Sequence, residues 1–214
     1  PVNKDTDWDW DEFIARNNNE LVATWGNLAN RVLSFTYKNW DGIIPDPGEL
    51  RPADKELLTA IEAGFDSVGA LLTKVKLRAA LSEAMRLAQE VNKYLDTSAP
   101  WFEIKSDKAA AATTVYTALK AIDSLKTIFA PFLPFTSQQL HHFFSYTAPI
   151  FGQQVTEAQN DNLGEHTVLR YLPEDSAGRW EPSQLEAGRA LQKPKPLFKK
   201  LEPSLADEER ARLG

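Results

Sequence analysis

The chain has 214 residues, 43% of them hydrophobic and 25% charged, with a formal net charge of −6. That size fits one large domain or two small ones around a buried core, and no apolar run approaches the roughly 20 residues that span a bilayer. The negative charge argues against broad non-specific nucleic-acid binding, which rests on neutralising phosphates, and the absence of cysteine excludes disulfides and thiolate metal sites.

In chain order, residues 1–10 read as a linker or frayed N-terminus. No signal-like segment opens the chain, so the expectation is a soluble, cytoplasmic protein without membrane contact. Pro1 in place of methionine reads as the start of a piece of a longer polypeptide. The acidic, aromatic stretch Asp7-Trp-Asp-Trp-Asp-Glu-Phe13 is read as a helix start with staple-like aromatics in preference to a docking patch. A helix begins near Asp9 or Asp11, where carboxylates suit the positive end of the helix dipole, and runs to about Trp40. Asp41-Gly42 stops it, and Pro45 and Pro47 prevent its resumption.

Two stripes run along this helix. Leu21, Trp25, Leu28, Val32 and Phe35 recur at steps of four and three, the pattern of a buried face. Glu20, Thr24, Asn27, Arg31 and Ser34 each precede one of them and form a wholly polar stripe roughly 100° round the helix.

Arg51-Pro52-Ala53-Asp54 opens a second helix with proline in its first turn; Leu57, Ile61, Phe65, Val68 and Leu72 form its apolar face. A third helix buries Leu77, Leu81, Ala84, Ala88, Val91 and Leu95 and ends before Pro100. Asp107 starts a fourth, with Val115, Leu119, Ile122, Leu125 and Phe129 inside. A fifth, about Thr136 to Tyr146, presents Leu140, Phe143 and Phe144. These elements predict an all-α fold, an antiparallel bundle of four to five helices over residues 11–147. From 148 to 214 periodicity fades into an irregular C-terminal tail packed on the bundle, with a short extended piece at Thr167–Tyr171 and a last helix near Ser204 to Arg212. The basic run Lys193, Lys195, Lys199 and Lys200 reads as part of a solvated tail.

No catalytic constellation is visible. His141 and His142 are adjacent, so they diverge on a helix and cannot share a metal with the usual spacing; both read as surface or bundle-edge residues, and His166 carries no motif. Asn27 and Arg31 lie one helical turn apart on one face. An amide donor and acceptor beside a planar guanidinium fork can read the edge of a nucleobase, although spacing alone favours a structural role, with Arg31 paired to Asp96 or Glu90. In Asn92-Lys-Tyr-Leu-Asp-Thr-Ser-Ala-Pro-Trp101, Pro100 ends a helix and holds Trp101 on a rigid turn. That indole suits either base stacking or capping of the core.

The order Glu-Leu-Val-x-x-x-Gly-Asn-Leu-x-Asn-Arg, then Asn-Lys-Tyr-Leu-Asp-x-x-Ala-Pro-Trp some sixty residues on, resembles the anticodon-binding domain of methionyl-tRNA synthetase. Phe132-Leu-Pro-Phe-Thr-Ser137 and Pro196-Leu-Phe-Lys-Lys200 extend the likeness from about Phe13 to Leu201. The resemblance implies a module that reads the CAU anticodon of methionine tRNA for an enzyme that ligates methionine to its tRNA with ATP. It assigns Asn27 and Arg31 to the first anticodon base, Trp101 to the stack beneath it, and Glu20, Asn92 and Pro100 to supporting positions. Ala23 stands where many relatives carry Asn, and Trp25 where Leu or Val is usual. The family's catalytic signatures do not occur, so no cofactor is expected within these residues; ATP and any metal ion belong to the catalytic domain, the implied partner alongside the anticodon stem-loop. The anticodon domain of a valine, leucine or isoleucine synthetase, and a helical scaffold without a nucleic-acid role, are the alternatives.

Overall fold

The computed structural model describes residues 7–213, so the linker predicted at 1–10 lies largely outside the described residues. The first helix is one continuous rod in three parts. The extended Asp9 accepts the Glu12 N–H at 2.9 Å and caps α1 (Trp10–Arg16). A π-helical segment (Asn17–Gly26) follows, and α2 (Asn27–Asn39) completes the rod. At the junction the Asn27 N–H reaches back five residues to Val22 O. π-helical turns are rare and frequent at functional sites. Here the segment brings Gly26 against the C-terminal part of the chain. A Cβ on Gly26 would lie 2.8 Å from Phe198 Cδ2 and 3.0 Å from Leu21 O, so glycine is what permits this approach. The two stripes keep their expected environments. Trp25, Leu28 and Val32 are buried, while Asn27 and Arg31 are exposed.

Three long helices, α3 (Pro52–Thr73), α4 (Leu77–Ser98) and α6 (Lys108–Phe129), pack on one another, and α2 lies against α4 and α6. α6 is buried on nearly every side, and Asp107 caps it by accepting the Ala109 and Ala110 N–H groups at 3.0 and 2.9 Å. Leu77, assigned to the third helix's buried face, is instead 51% exposed at the α3–α4 turn. α5 (Pro100–Glu103) is a single turn between α4 and α6. α7 (Pro134–Phe143) starts and ends earlier than expected and buries Leu140 and Phe143; Phe144, just beyond it, is also buried.

The molecule is mostly helical, but it is not all-α. The region read as an irregular tail contains an antiparallel hairpin of β1 (Gln153–Asp161) and β2 (Gly164–Leu172), paired from Gln153↔Leu172 to Asp161↔Gly164. The predicted extended piece at Thr167–Tyr171 is the far half of β2. Every residue of both strands is exposed or half-exposed, so no buried face imposes the apolar alternation that announces a strand. The hairpin is tied down at its base, where the Gly152 N–H donates to Tyr171 Oη at 2.6 Å. Beyond it, Leu185, Leu191 and Leu197 join the helical core. Asn18 clasps Leu201 in both directions, at 2.8 and 2.9 Å, and α8 (Ser204–Leu213) lies against α1 with Arg210 paired to Asp11 at 2.5 Å. Among the described residues no helix is long and apolar enough to cross a membrane.

His141 is not at the surface as expected, whereas His142 is exposed. His141 sits in a buried charged cluster joining α6, α7 and the tail. Lys126 Nζ donates to Asp123 Oδ1 at 2.6 Å and lies 2.9 Å from His141 Nδ1. Ser183 Oγ and Tyr146 Oη donate to Asp123 Oδ2 at 2.6 and 3.0 Å, and His141 Nε2 lies 2.9 Å from Ala148 O. The neutral Nε2–H tautomer satisfies both ring contacts: Nδ1 accepts from the ammonium and Nε2 donates to the carbonyl. Burial and the neighbouring Lys126 cation push the imidazole pKa down to about 4.

Candidate nucleic-acid interface

Of the residues singled out in the sequence, Arg31 and Trp101 meet at one edge of the helical core. Trp101 rides on α5. Ala99, in the left-handed conformation at φ 42°, turns the chain out of α4; buried Pro100 then fixes the first position of the new turn. Glu103 anchors its far end, accepting from Thr114 Oγ1 at 3.3 Å and lying 3.6 Å from Arg51 Nη1.

Arg51 belongs to a second buried network beneath this turn. Its guanidinium donates to both Asp54 carboxylate oxygens at 3.0 Å and to Thr114 Oγ1 at 2.6 Å, and Tyr94 Oη donates to Asp54 Oδ1 at 2.6 Å. Burial alone would raise the Asp54 pKa, but the hydrogen bonds from Arg51 and Tyr94 hold the carboxyl below its ordinary range. Burial, reinforced by Asp54, pushes the Tyr94 phenol up to about 12. The sequence reading placed Arg51 and Asp54 at a helix start and attached no role to Tyr94 or Glu103. The usable signal was an acidic residue three positions after the helix start, and the Asp54 carboxylate indeed accepts the Arg51 N–H at 2.7 Å.

Trp101 is half-buried and Arg31 exposed. The Arg31 guanidinium carbon stands 4.4 Å from the centroid of the Trp101 ring, over its face. Phe35 packs edge-on to the same indole, with centroids 5.6 Å apart. The ion pair expected of Arg31 is present in weak form, with Nη2 3.9 Å from Asp96 Oδ1 and both side chains well exposed. Asn27 lies one turn before Arg31 on the exposed side of α2. Asn92 does not face the indole. Its amide donates to Thr24 O at 3.3 Å and Ala88 O at 3.2 Å, which fixes α4 against the rod carrying Asn27 and Arg31. Glu20 is exposed, two turns up that rod. Lys105 and Lys108 stand over Phe102 and Trp40 at 5.9 and 5.6 Å. Among the described residues no cluster of side chains could hold a metal ion.

The free-state Mycobacterium tuberculosis methionyl-tRNA synthetase superposes with a TM-score of 0.72 at 24% identity, over 92% of this chain and 35% of that one. The family model described as the anticodon binding domain of methionyl tRNA ligase matches residues 44–170, and a class I tRNA synthetase model matches residues 1–33. The chain belongs to the methionyl-tRNA ligase anticodon-binding family. It is similar over its whole length to the methionine–tRNA ligases of Thermomicrobium roseum (53% identical) and Chloroflexus aggregans (51%). The chain spans 37% and 36% of the length of these curated relatives. Asn27 and Arg31 fall in the stretch matched by the class I model and Trp101 in that matched by the anticodon model, so the contact at 4.4 Å joins the two.

Proposed function

We propose that this chain, its helices forming an antiparallel bundle, reads the CAU anticodon of methionine tRNA on behalf of a methionine-activating catalytic domain. The observation that carries the reading is the guanidinium of Arg31 resting on the face of Trp101. An exposed cation–π contact is worth about 0.5–1 kcal/mol, whereas stacking a base on an aromatic ring is worth on the order of 1–3 kcal/mol. An incoming cytosine therefore displaces the guanidinium from the indole and leaves it beside the edge of the base. There Arg31 has donors for cytosine O2 and N3, both acceptors, and the Asn27 amide completes the set. Uracil carries a proton at N3, which opposes an arginine donor. Selectivity then comes from the mismatch of two donors as well as from the correct pair. Asn92 and Pro100 act by holding the two halves of the site in place, and Glu20 lies too far along the rod to touch the same base.

The test is binding of the 214-residue chain to RNA stem-loops that differ only in CAU or UAU. A bidentate base contact discriminates by about 1–3 kcal/mol, so CAU is expected to bind about ten- to a hundredfold more tightly. Trp101→Ala should weaken binding to both loops, and Arg31→Ala should abolish the preference, each with an unchanged helical circular dichroism spectrum. Equal affinity of the wild-type chain for both loops would overturn the assignment.

A further inference from the structure

Helix α4 runs from the α3–α4 turn to the edge that holds Trp101, and its charges are sorted by side. Both glutamates gather round Arg86. Glu83 accepts from that guanidinium at 2.7 and 2.8 Å, and Glu90 lies 3.6 Å from it. On another side, the Asn92 amide donates to Thr24 O and faces the rod. Between these two sides runs a stripe of Arg78, Ser82, Gln89, Lys93 and Asp96, at steps of four, seven, four and three. All five are exposed. Asp96 is the one carboxylate among them and lies 3.9 Å from Arg31. Arg78 and Lys93 have no ion pair among the described residues.

The stripe is aligned with the Trp101 site. Arg78 precedes Asp96 by 18 residues, which is five helical turns, so the two share one face of α4 about 27 Å apart. Asp96 adjoins Arg31, and Trp101 follows just beyond the end of α4. Past Arg78 the exposed Lys76 and Lys74 continue in the turn. The neighbouring α3 is different, exposing Glu56, Glu62 and Asp66 against Lys55 alone. A nucleic acid leaving Trp101 therefore meets carboxylates along α3. Along the stripe it meets unpaired cations with neutral donors between them.

We propose that the α4 stripe holds the phosphate backbone of the RNA stem that continues from the loop read at Trp101. This rests on the reading of Trp101 and Arg31 as the base-binding site. Lys93 takes a phosphate near the loop and Arg78 one farther along the stem, while Ser82 and Gln89 donate to phosphate oxygens between them. Such contacts carry no sequence information and set the register of the RNA on the protein. They suit a duplex whose base edges side chains do not read. Arg86, held by two glutamates, takes no part.

The test compares a CAU stem-loop with a linear heptanucleotide of the same loop sequence, using the whole chain. Arg78→Ala and Lys93→Ala should each weaken binding of the stem-loop about fivefold, the value of one charge pair in contact in a high dielectric. Each should also lower the slope of log affinity against log salt by about one phosphate contact. Neither should change the affinity for the heptanucleotide or the preference for CAU over UAU. Lys55→Ala, which removes the same charge from α3, should leave both RNAs unaffected. Unchanged stem-loop binding in Arg78→Ala and Lys93→Ala would overturn the stripe. So would equal losses on the heptanucleotide, or an equal loss in Lys55→Ala, which would mark a general effect of net charge. If the wild-type chain did not distinguish CAU from UAU, the reading of Trp101 would fail, and the difference between stem-loop and heptanucleotide in these variants would still decide this one.

Discussion

Asp123→Ala is the most informative single test of the packing. Asp123 is 3% exposed and accepts from Lys126, Tyr146 and Ser183 at 2.6, 3.0 and 2.6 Å. Removing it strands the Lys126 ammonium, itself only 4% exposed, with neutral His141 as its nearest partner. Breaking a buried pair by deleting one partner costs about 3–5 kcal/mol, because the remaining charge is uncompensated. Ser183 and Tyr146 also lose their acceptor, and with it the tail loses one of its ties to α6. The effect should appear as a fall in the urea midpoint at pH 7. Adding Lys126→Met removes the stranded charge and should recover at least half of the loss, so the two changes are strongly non-additive. A loss below about 1 kcal/mol for Asp123→Ala would refute the buried pair, and additive losses would refute the stranded-charge argument.

The same cluster makes stability depend on pH. His141 is held neutral when folded, with its pKa near 4, and takes up a proton near its ordinary 6.5 when unfolded. Its contribution is fully present above pH 6.5 and is lost as pH falls toward 4, by about 3 kcal/mol in all; His141→Gln should flatten the denaturation midpoint across that window. Gly64→Ala should gain about 1 kcal/mol in helix propensity, yet a Cβ there would lie 2.4 Å from Leu87 Cδ1 in the fully buried α3–α4 contact. Overpacking costs about 1–3 kcal/mol, so thermal unfolding should show a net loss, and a rise in Tm would contradict the packing. Tyr94→Phe removes one hydrogen bond to the buried Asp54 carboxylate and should cost about 1.5–3 kcal/mol in urea unfolding. Because Arg51 and Glu103 link that network to α5, it should also weaken RNA binding beyond what its loss of stability explains.

The helices were legible because one face of each is buried and the 3.6-residue repeat records it, as Leu57, Ile61, Phe65 and Val68 record α3. Asp107 and Pro52 marked helix starts in the same local way. Of the hairpin only the Thr167–Tyr171 part of β2 was legible, because neither strand buries a face. The π-helical segment was hidden because its register leaves Trp25 and Leu28 inside, as an α-helix would. At the site, Asn27, Arg31 and Trp101 stood out by type and order, but the contact of Arg31 with Trp101 is a tertiary fact. Spacing could not rank Asp96, 3.9 Å from Arg31, against Trp101 at 4.4 Å as its neighbour. Lys126 and Asp123 are an i,i+3 pair that carries no burial signal in the sequence. Only the closure of α7 and the tail over α6 makes them interior.

The central claim concerns one of six tryptophans. Labelling the indole nitrogens and titrating the chain with a CAU stem-loop reads it directly by NMR, with the Trp101 signal assigned by its loss in Trp101→Phe. The account predicts that the Trp101 indole resonance shifts upfield in proportion to the bound fraction, as a stacked base shields it, and that a UAU loop needs about ten- to a hundredfold more RNA for the same shift. A Trp101 signal that stays in place while the RNA is saturably bound would contradict it.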